Sequence, residues 1–173
     1  MASYVISVLG DDRTGLVAAI SEAVERHGGN WERSHMTQLA DKFAGVILVT
    51  VPDAKGEAFV EALESFETRG VLEVAVEKAG RSDSQLQAIE VRIVGNDHPG
   101  IVHELSSLLA SKGVSIDDLQ TDTSSAPMAG GTLFEAIARI RLPENLDAGS
   151  LVRDLEAVAA DLMVDIEVAD AGS

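Results

Sequence analysis

The sequence predicts an α+β protein made of two consecutive βαββαβ domains, each a four-stranded antiparallel sheet with two helices on one face. Three observations support this prediction. The chain contains an internal repeat, apolar residues alternate at strand spacing or recur at helical spacing within each copy, and the order of these segments is the same in both copies. Right-handed crossovers convert that order into an antiparallel sheet covered by helices on one side.

The internal repeat is the most informative feature of the chain. The segments VLGDDRTGLVAAISEAVERHGGNW (8–31) and IVGNDHPGIVHELSSLLASKGVSI (93–116) align at a constant offset of 85 residues, which grows to 91 and then 92 toward the end of each copy. The small, polar segment 124–131 accounts for most of this growth as a longer hairpin turn. We therefore expect a first domain at 1–80 and a second at 86–173, joined by a short polar segment.

The elements follow in the same order in each copy. A first strand precedes an amphipathic helix, which ends at Gly28 in one copy and at Gly113 in the other. Two further strands follow, and Pro52 and Pro143 end the second of them. A second amphipathic helix and a last alternating strand close each copy. The expected strands are 4–9, 31–39, 43–51 and 72–76 in the first copy, and 89–94, 116–123, 133–142 and 164–168 in the second.

Composition excludes several classes of function. The chain carries 13 basic and 29 acidic residues, for a net charge of −16, so it repels phosphate backbones and we expect no direct nucleic-acid binding. No apolar run approaches the roughly 20 residues needed to cross a bilayer, and the N-terminus lacks the features of a signal peptide. The absence of cysteine excludes disulfides and thiolate chemistry. We expect a cytoplasmic protein without membrane association.

The loops between the first strand and the first helix of each copy form the candidate site. Glycine near a helix start costs about 1 kcal/mol relative to alanine, so Gly15 and Gly100 either relieve a tight turn or let a ligand approach the helix amides. The candidate residues are Gly10, Asp11, Asp12, Arg13, Thr14 and Gly15 in the first copy, and Gly95, Asn96, Asp97, His98, Pro99 and Gly100 in the second.

A helix N-terminus favours a carboxylate or a phosphate. Neither loop has the GK[ST] ending of a phosphate-binding loop, and Asp11 and Asp12 repel phosphate. An amino acid fits better, with its carboxylate on the helix amides and its ammonium on Asp12 or Asp97. Asn30 and its counterpart Ser115 follow the helix-ending glycines. Each is either a turn residue or a polar group that reaches a ligand held by a neighbouring copy.

Metal binding and catalysis find little support in the residues. His98 and His103 lie five residues apart, whereas a helix places ligands on one face at spacings of three or four, and HPGIVHE does not match HExxH. The chain has no GxSxG segment and no recognisable nucleophile–base set. We expect no metal site, no cofactor and no enzymatic activity.

Two motifs in each copy resemble the ACT domain, a small-molecule regulatory module with a ferredoxin-like fold. They are D-x-[PT]-G-[LI] after the first strand (12–16 and 97–101) and G-x-[NS] at the helix end (28–30 and 113–115). The resemblance covers nearly the whole chain. The standalone tandem arrangement, and the segment DHPGIVHELSSLLASKGVSIDDLQTDT in particular, is similar to the glycine cleavage system transcriptional repressor family.

The resemblance implies amino-acid binding between paired domains, at the strand–helix loop of one domain and the helix-end position of its partner. Thr14 replaces the usual proline of the motif and Ser115 the usual asparagine, so the two pockets differ, and Asn30 facing the loop 96–100 is the better-equipped pair. Glycine or serine is the ligand that the resemblance favours.

The sequence therefore predicts a homodimeric sensor that responds to an amino acid by ligand-dependent domain pairing. It would act through a protein partner in the regulation of amino-acid metabolism or transcription. The alternatives are an assembly module without a small-molecule ligand, or a small metal-dependent enzyme.

Overall fold

The computed structural model describes residues 1–80, 87–125 and 130–170. The chain divides into two compact units, here called unit 1 and unit 2, with the division between residues 82 and 83. The middle of the predicted turn at 124–131 and most of the polar segment between the repeats lie outside the described residues. The element order within each unit is βαββαβ, so the predicted α+β fold class is confirmed.

Unit 1 contains an antiparallel sheet with the strand order β2-β3-β1-β4. A single 3-10 turn at Asp53–Lys55 leads into its second helix. The elements are β1 (Ala2–Asp11), α1 (Leu16–Arg26), β2 (Asn30–Leu39), β3 (Lys42–Val51), α2 (Gly56–Thr68) and β4 (Glu73–Lys78).

Unit 2 repeats this topology, with the strand order β6-β7-β5-β8. Its longest helix, α4, is two residues longer than its counterpart α2. The elements are β5 (Ala88–Asn96), α3 (Ile101–Ser111), β6 (Ser115–Ser125), β7 (Thr132–Arg141), α4 (Ala148–Leu162) and β8 (Val164–Asp170).

Each unit has its own hydrophobic core between the sheet and the helices. Successive side chains of a strand point to opposite faces, so every second residue of β1 and β5 contributes to a core. In unit 1, Ile6 and Ile47 of the sheet and Leu63 of α2 are completely buried. In unit 2, Ile140 and Leu151 are completely buried. Full burial of one such side chain stabilises the fold by about 1.5–3 kcal/mol.

The edge strands β2 and β6 carry the same irregularity. The pairing register shifts between Trp31 and Arg33 in unit 1 and between Ile116 and Asp118 in unit 2. Such a bulge adds one residue to the edge strand and changes which face the next side chain occupies. Trp31 is half-buried and packs against the core of unit 1, as expected for an apolar strand residue.

The described helices are short and amphipathic. None of them is long and apolar enough to span a membrane.

Candidate functional site

The two strand–helix loops end in glycines that adopt a left-handed backbone. Gly15 has φ = 94° and precedes α1, and Gly100 has φ = 107° and precedes α3. Other L-residues pay roughly 1–2 kcal/mol in this region. A Cβ atom at either glycine would meet no atom within 4 Å. The backbone angle therefore explains why glycine is present, and the space beside both glycines is open.

The first turns of α1 and α3 lack side-chain caps. The first bonds from these turns to the capping glycines are made by the Ala19 and Glu104 amides, which donate to the Gly15 and Gly100 carbonyls at 2.9 Å. The amides before them have no intrahelical acceptor, and no side chain caps either end. By contrast, Asp147 caps α4 by accepting a hydrogen bond from the Ser150 amide at 2.7 Å. The glycine-capped ends can thus receive an external carboxylate.

Backbone hydrogen bonds anchor both loops to their sheets. The Asp12 amide donates to the Asp41 carbonyl at 3.0 Å, and the Asp97 amide donates to the Thr132 carbonyl at 2.8 Å. These two amides are therefore engaged within the protein. The side chains of Asp12 and Asp97 remain exposed and able to meet a cationic group.

Asp11 has partners of its own beside the first loop. Its carboxylate lies 2.5 Å from the Lys42 ammonium and 3.5 Å from the Arg13 guanidinium. The hydrogen bond and charge of Lys42, supported by Arg13, lower the pKa of Asp11. Asp11 thus stays ionised, but its charge is already compensated, which leaves Asp12 as the better ammonium partner in this loop.

His98 connects the second loop to the end of α4. Its Nε2 lies 2.8 Å from the Leu162 carbonyl oxygen, and its Nδ1 lies 3.1 Å from the Pro99 carbonyl oxygen. Only the protonated ring donates to both oxygens. The Leu162 carbonyl, then the Pro99 carbonyl and the charge of Asp97, raise the pKa of His98. This contact makes His98 a residue that positions the loop.

Gly10 and Gly95 belong to the candidate loops by sequence, but the structure gives them a packing role. A Cβ atom at Gly10 would lie 2.7 Å from Leu72 Cδ2, and one at Gly95 would lie 2.6 Å from Val164 Cγ1. Both glycines allow the start of the last strand of their unit to approach closely. A cavity of about 260 Å³ also borders Gly10, on the β4 side of the loop rather than at the start of α1.

Asn30 lies at the start of β2, at the other end of unit 1 from the first loop. It pairs with Thr50, and Thr50 pairs with Ser3, eight residues before Asp11 on β1. At about 3.3 Å per residue this separation is about 26 Å. A single unit therefore does not bring Asn30 and the loop together. The same topology separates Ser115 from the loop 96–100 in unit 2.

Asn30 belongs to a polar cluster for which the sequence contains no local signal. Asn30 Nδ2 and Thr50 Oγ1 each donate to Glu32 Oε1 at 2.9 Å, and these two hydrogen bonds lower the pKa of Glu32. The cluster depends on the bulge in β2 and on the register with β3, which no local motif reveals. Asn30 keeps its carbonyl oxygen available while its amide group holds an ionised carboxylate.

The corresponding position of unit 2 contains an ion pair instead. Arg141 Nη2 lies 2.5 Å from Asp117 Oδ1, and Ser115 pairs with Arg141 across the strands. Ser115 is exposed and offers a single hydroxyl. The helix-end positions of the two units therefore differ in charge and in the reach of their polar groups.

No cluster of three or more potential metal ligands occurs within residues 1–80, 87–125 and 130–170. His103 is exposed on α3, while His98 faces carbonyl oxygens. The arrangement of the loops thus offers amides, carboxylates and open space for a small zwitterion.

The fold and its loops define a class of protein, a tandem of ferredoxin-like α+β domains with glycine-capped helices. The model of the ACT domain matches residues 3–77 and 87–169, and the chain belongs to this family. The predicted resemblance is therefore confirmed. Family membership supports an amino-acid-binding regulatory role rather than an enzymatic one.

Similar proteins extend this result. A crystal structure of an unknown protein from Galdieria sulphuraria is 33% identical, with a TM-score of 0.88 and 99% coverage of both chains. A protein assigned as a glycine cleavage system transcriptional repressor is 17% identical, with a TM-score of 0.71 over 99% of this chain and 98% of that one, and shares the fold. The UPF0237 protein of Methanopyrus kandleri is 43% identical over 54 residues, which are 31% of this chain and 60% of that protein.

Proposed function

We propose that this protein is an amino-acid sensor that binds its ligand at the strand–helix loops and responds by a change in domain pairing. The uncapped first turns of α1 and α3, each preceded by a left-handed glycine with open space around it, carry this proposal. The ligand carboxylate accepts hydrogen bonds from these amides at the positive end of the helix. The ligand ammonium meets the exposed carboxylate of Asp12 or Asp97.

The position of Asn30 supports a site shared by two domains. Because Asn30 and the loop lie at opposite ends of one unit, an antiparallel partner domain is needed to bring an Asn30 side chain to a loop. Asn30 then contributes its free carbonyl oxygen, and Ser115 contributes a hydroxyl at the other site. A ligand that contacts both domains favours the paired state in proportion to its differential affinity for it.

The proposal also includes the identity of the ligand and the process that the protein regulates. The resemblance to the glycine cleavage system repressor family favours a small amino acid such as glycine or serine. The net charge of −16 disfavours direct contact with nucleic acid, so any effect on transcription runs through a protein partner. We place the protein in the cytoplasm, as a homodimer that regulates amino-acid metabolism.

A thermal-shift screen against the twenty amino acids tests the proposal. A ligand that binds only the folded state adds about 2.7 kcal/mol of stability at 100 times its dissociation constant. We expect one or two small amino acids to raise the melting temperature. If none of the twenty does so at millimolar concentration, the chain is not an amino-acid sensor.

A pair of glycine variants tests where the ligand binds. Gly100→Ala places a methyl group in front of the α3 amides and should weaken binding of the responding amino acid at least about tenfold, equivalent to 1.4 kcal/mol. Gly70→Ala is the matched control, because Gly70 also has a positive φ (64°) and open surroundings but follows α2, outside both motifs of either copy. Both variants carry a similar backbone penalty. Isothermal titration calorimetry should show lost affinity for Gly100→Ala alone, and equal losses would contradict the assignment.

A further inference from the structure

The two units differ on the sheet face that the helices leave uncovered, here called the outer face. In unit 1 the centre of the outer face is formed by β1 and β3 and contains no charged residue. The six central residues are Val5, Ser7, Leu9, Ala44, Val46 and Leu48, which form three cross-strand pairs. Val46 is 49% exposed and Leu9 is 44% exposed. An exposed apolar centre of this kind is typical of an interaction surface.

The outer face of unit 2 has the same backbone but different chemistry. Its central pairs come from β5 and β7, and four of the six residues are charged. They are Glu90, Arg92, Val94, Glu135, Ile137 and Arg139. Arg92 Nε lies 3.0 Å from Glu90 Oε1. Removing these charges from water is costly, so we expect this face to stay exposed to solvent. The repeat therefore provides an internal comparison. Unit 2 has the same fold with a charged outer face, so the fold does not require the apolar centre of unit 1.

The edges of the unit 1 outer face carry opposite charges in one cross-strand row. Arg33 of β2 pairs with Leu48, Leu48 pairs with Val5, and Val5 pairs with Glu77 of β4. The row thus runs from a basic edge, across two apolar residues, to an acidic edge. Arg33 and Glu77 are both exposed.

This charge pattern is self-complementary. A second copy rotated by 180° about an axis parallel to the strands, between the two faces, places its β4 over β2 of the first copy. Arg33 then faces the partner's Glu77, and the apolar centres meet. A rotation about an axis perpendicular to the strands would instead place β2 over β2 and β4 over β4, so edges of the same charge would meet. Opposite charges across an interface determine its orientation and exclude the wrong arrangement.

We propose that the outer face of unit 1 is a self-association surface that joins two copies of this chain face to face. The interface is isologous, since each copy contributes the same residues. Aligned packing of the two sheets buries Val46 and Leu48 of both copies, with the Arg33–Glu77 pairs at the rim. The strand–helix loops lie at the ends of the strands and stay outside this surface, so the interface does not depend on the amino-acid site.

Sedimentation velocity of the full chain over a wide concentration range, without added amino acid, tests the interface. We expect a reversible monomer–dimer equilibrium. Val46→Glu should raise the dissociation constant at least about tenfold, because it introduces an unpaired charge at the centre of the contact. Ile137→Glu is the matched control, since Ile137 is the counterpart of Val46 on unit 2 and is 38% exposed. It should leave the dissociation constant unchanged.

A charge exchange provides a second test that does not alter the apolar centre. Arg33→Glu and Glu77→Arg should each weaken the dimer, and the double variant should restore it, because the pair re-forms with reversed signs. Circular dichroism verifies that each variant is folded. A wild-type chain that is monomeric at every concentration, an equal effect of Ile137→Glu, or a double variant without recovery would overturn the proposal. The screen with amino acids is a separate experiment, so failure here removes the outer-face interface and leaves ligand binding at the strand–helix loops untouched.

Discussion

Gly95 and Gly100 are five residues apart in the same candidate loop, yet their surroundings impose opposite constraints. Gly95 has no room for a side chain, because Val164 lies against it. Gly100 has room but adopts a backbone that disfavours side chains. Both align with glycines of the first copy, so the sequence alone treats them alike. Only the pairing of β5 with β8 reveals that Gly95 contributes to packing.

The packing role of Gly95 predicts a loss of stability on substitution. Gly95→Ala places a methyl group 2.6 Å from Val164 Cγ1 and 2.9 Å from Val164 Cα, so β8 must move. We expect a decrease of about 1–3 kcal/mol in the free energy of unfolding, measured by urea denaturation. Gly80→Ala is the control, because a Cβ atom there meets nothing within 4 Å, and it should change stability little. Equal stabilities of the two variants would exclude the packing role.

The polar partners of the candidate residues were not predictable from the sequence. Glu32 is bound by Asn30, two residues away, and by Thr50, eighteen residues away. The second contact requires the register of β2 with β3, including the bulge after Trp31. A local sequence motif contains no information about this register or about the bulge. A tight turn at Gly15 was one of two open interpretations, and its φ of 94° supports that turn, while the space beside Gly15 stays open.

At the scale of elements, periodicity predicted the fold and left the boundaries imprecise. The expected strand 116–123 extends over Ser115–Ser125, and the expected strand 72–76 begins at Glu73 and ends at Lys78. Alternating burial determines the interior of a strand, whereas its ends depend on partners in the sheet. The 3-10 turn at Asp53–Lys55 was missed because three residues are too short for a periodic signal.

His98 joins two elements that are far apart in the chain, the β5–α3 loop and the C-terminal end of α4. The Leu162 carbonyl is one of the last of α4, where backbone acceptors lack intrahelical partners and the helix favours positive charge. Unit 1 has Arg13 at the corresponding loop position, and it pairs with Asp11 within the loop. Of these two corresponding residues, His98 connects its loop to the second helix of its unit, whereas Arg13 contacts its own loop.

The contact of His98 predicts a pH-dependent contribution to stability. Its pKa in the folded state is raised above the ordinary value of 6.5. The contribution is therefore fully present below about pH 6.5 and lost as the pH rises through the folded-state pKa. We expect His98→Gln to lower the melting temperature more at pH 5.5 than at pH 9. His103→Gln, on the exposed face of α3, is the matched control for the substitution itself. A pH-independent effect of His98→Gln would contradict this role.

At the scale of the whole molecule, the duplication has produced two cores of similar construction. Within the described residues, the buried side chains form two hydrophobic clusters with no member in common. The surfaces have diverged more than the cores, as the outer faces show. Core positions are constrained by packing at high density, whereas an outer face can exchange apolar for charged residues as long as the strand is kept.

Because the two cores share no side chain, we predict that a core substitution in one unit destabilises that unit and not the other. Leu63 in α2 and Leu155 in α4 are counterparts, and both are almost completely buried. Substitution of either by alanine should cost about 2–5 kcal/mol through lost contacts and the cavity that remains. Native-state hydrogen exchange read by mass spectrometry should show faster exchange in unit 1 for Leu63→Ala and in unit 2 for Leu155→Ala. If either substitution accelerates exchange equally in both units, they unfold as one cooperative structure, and the cores are coupled despite sharing no side chain.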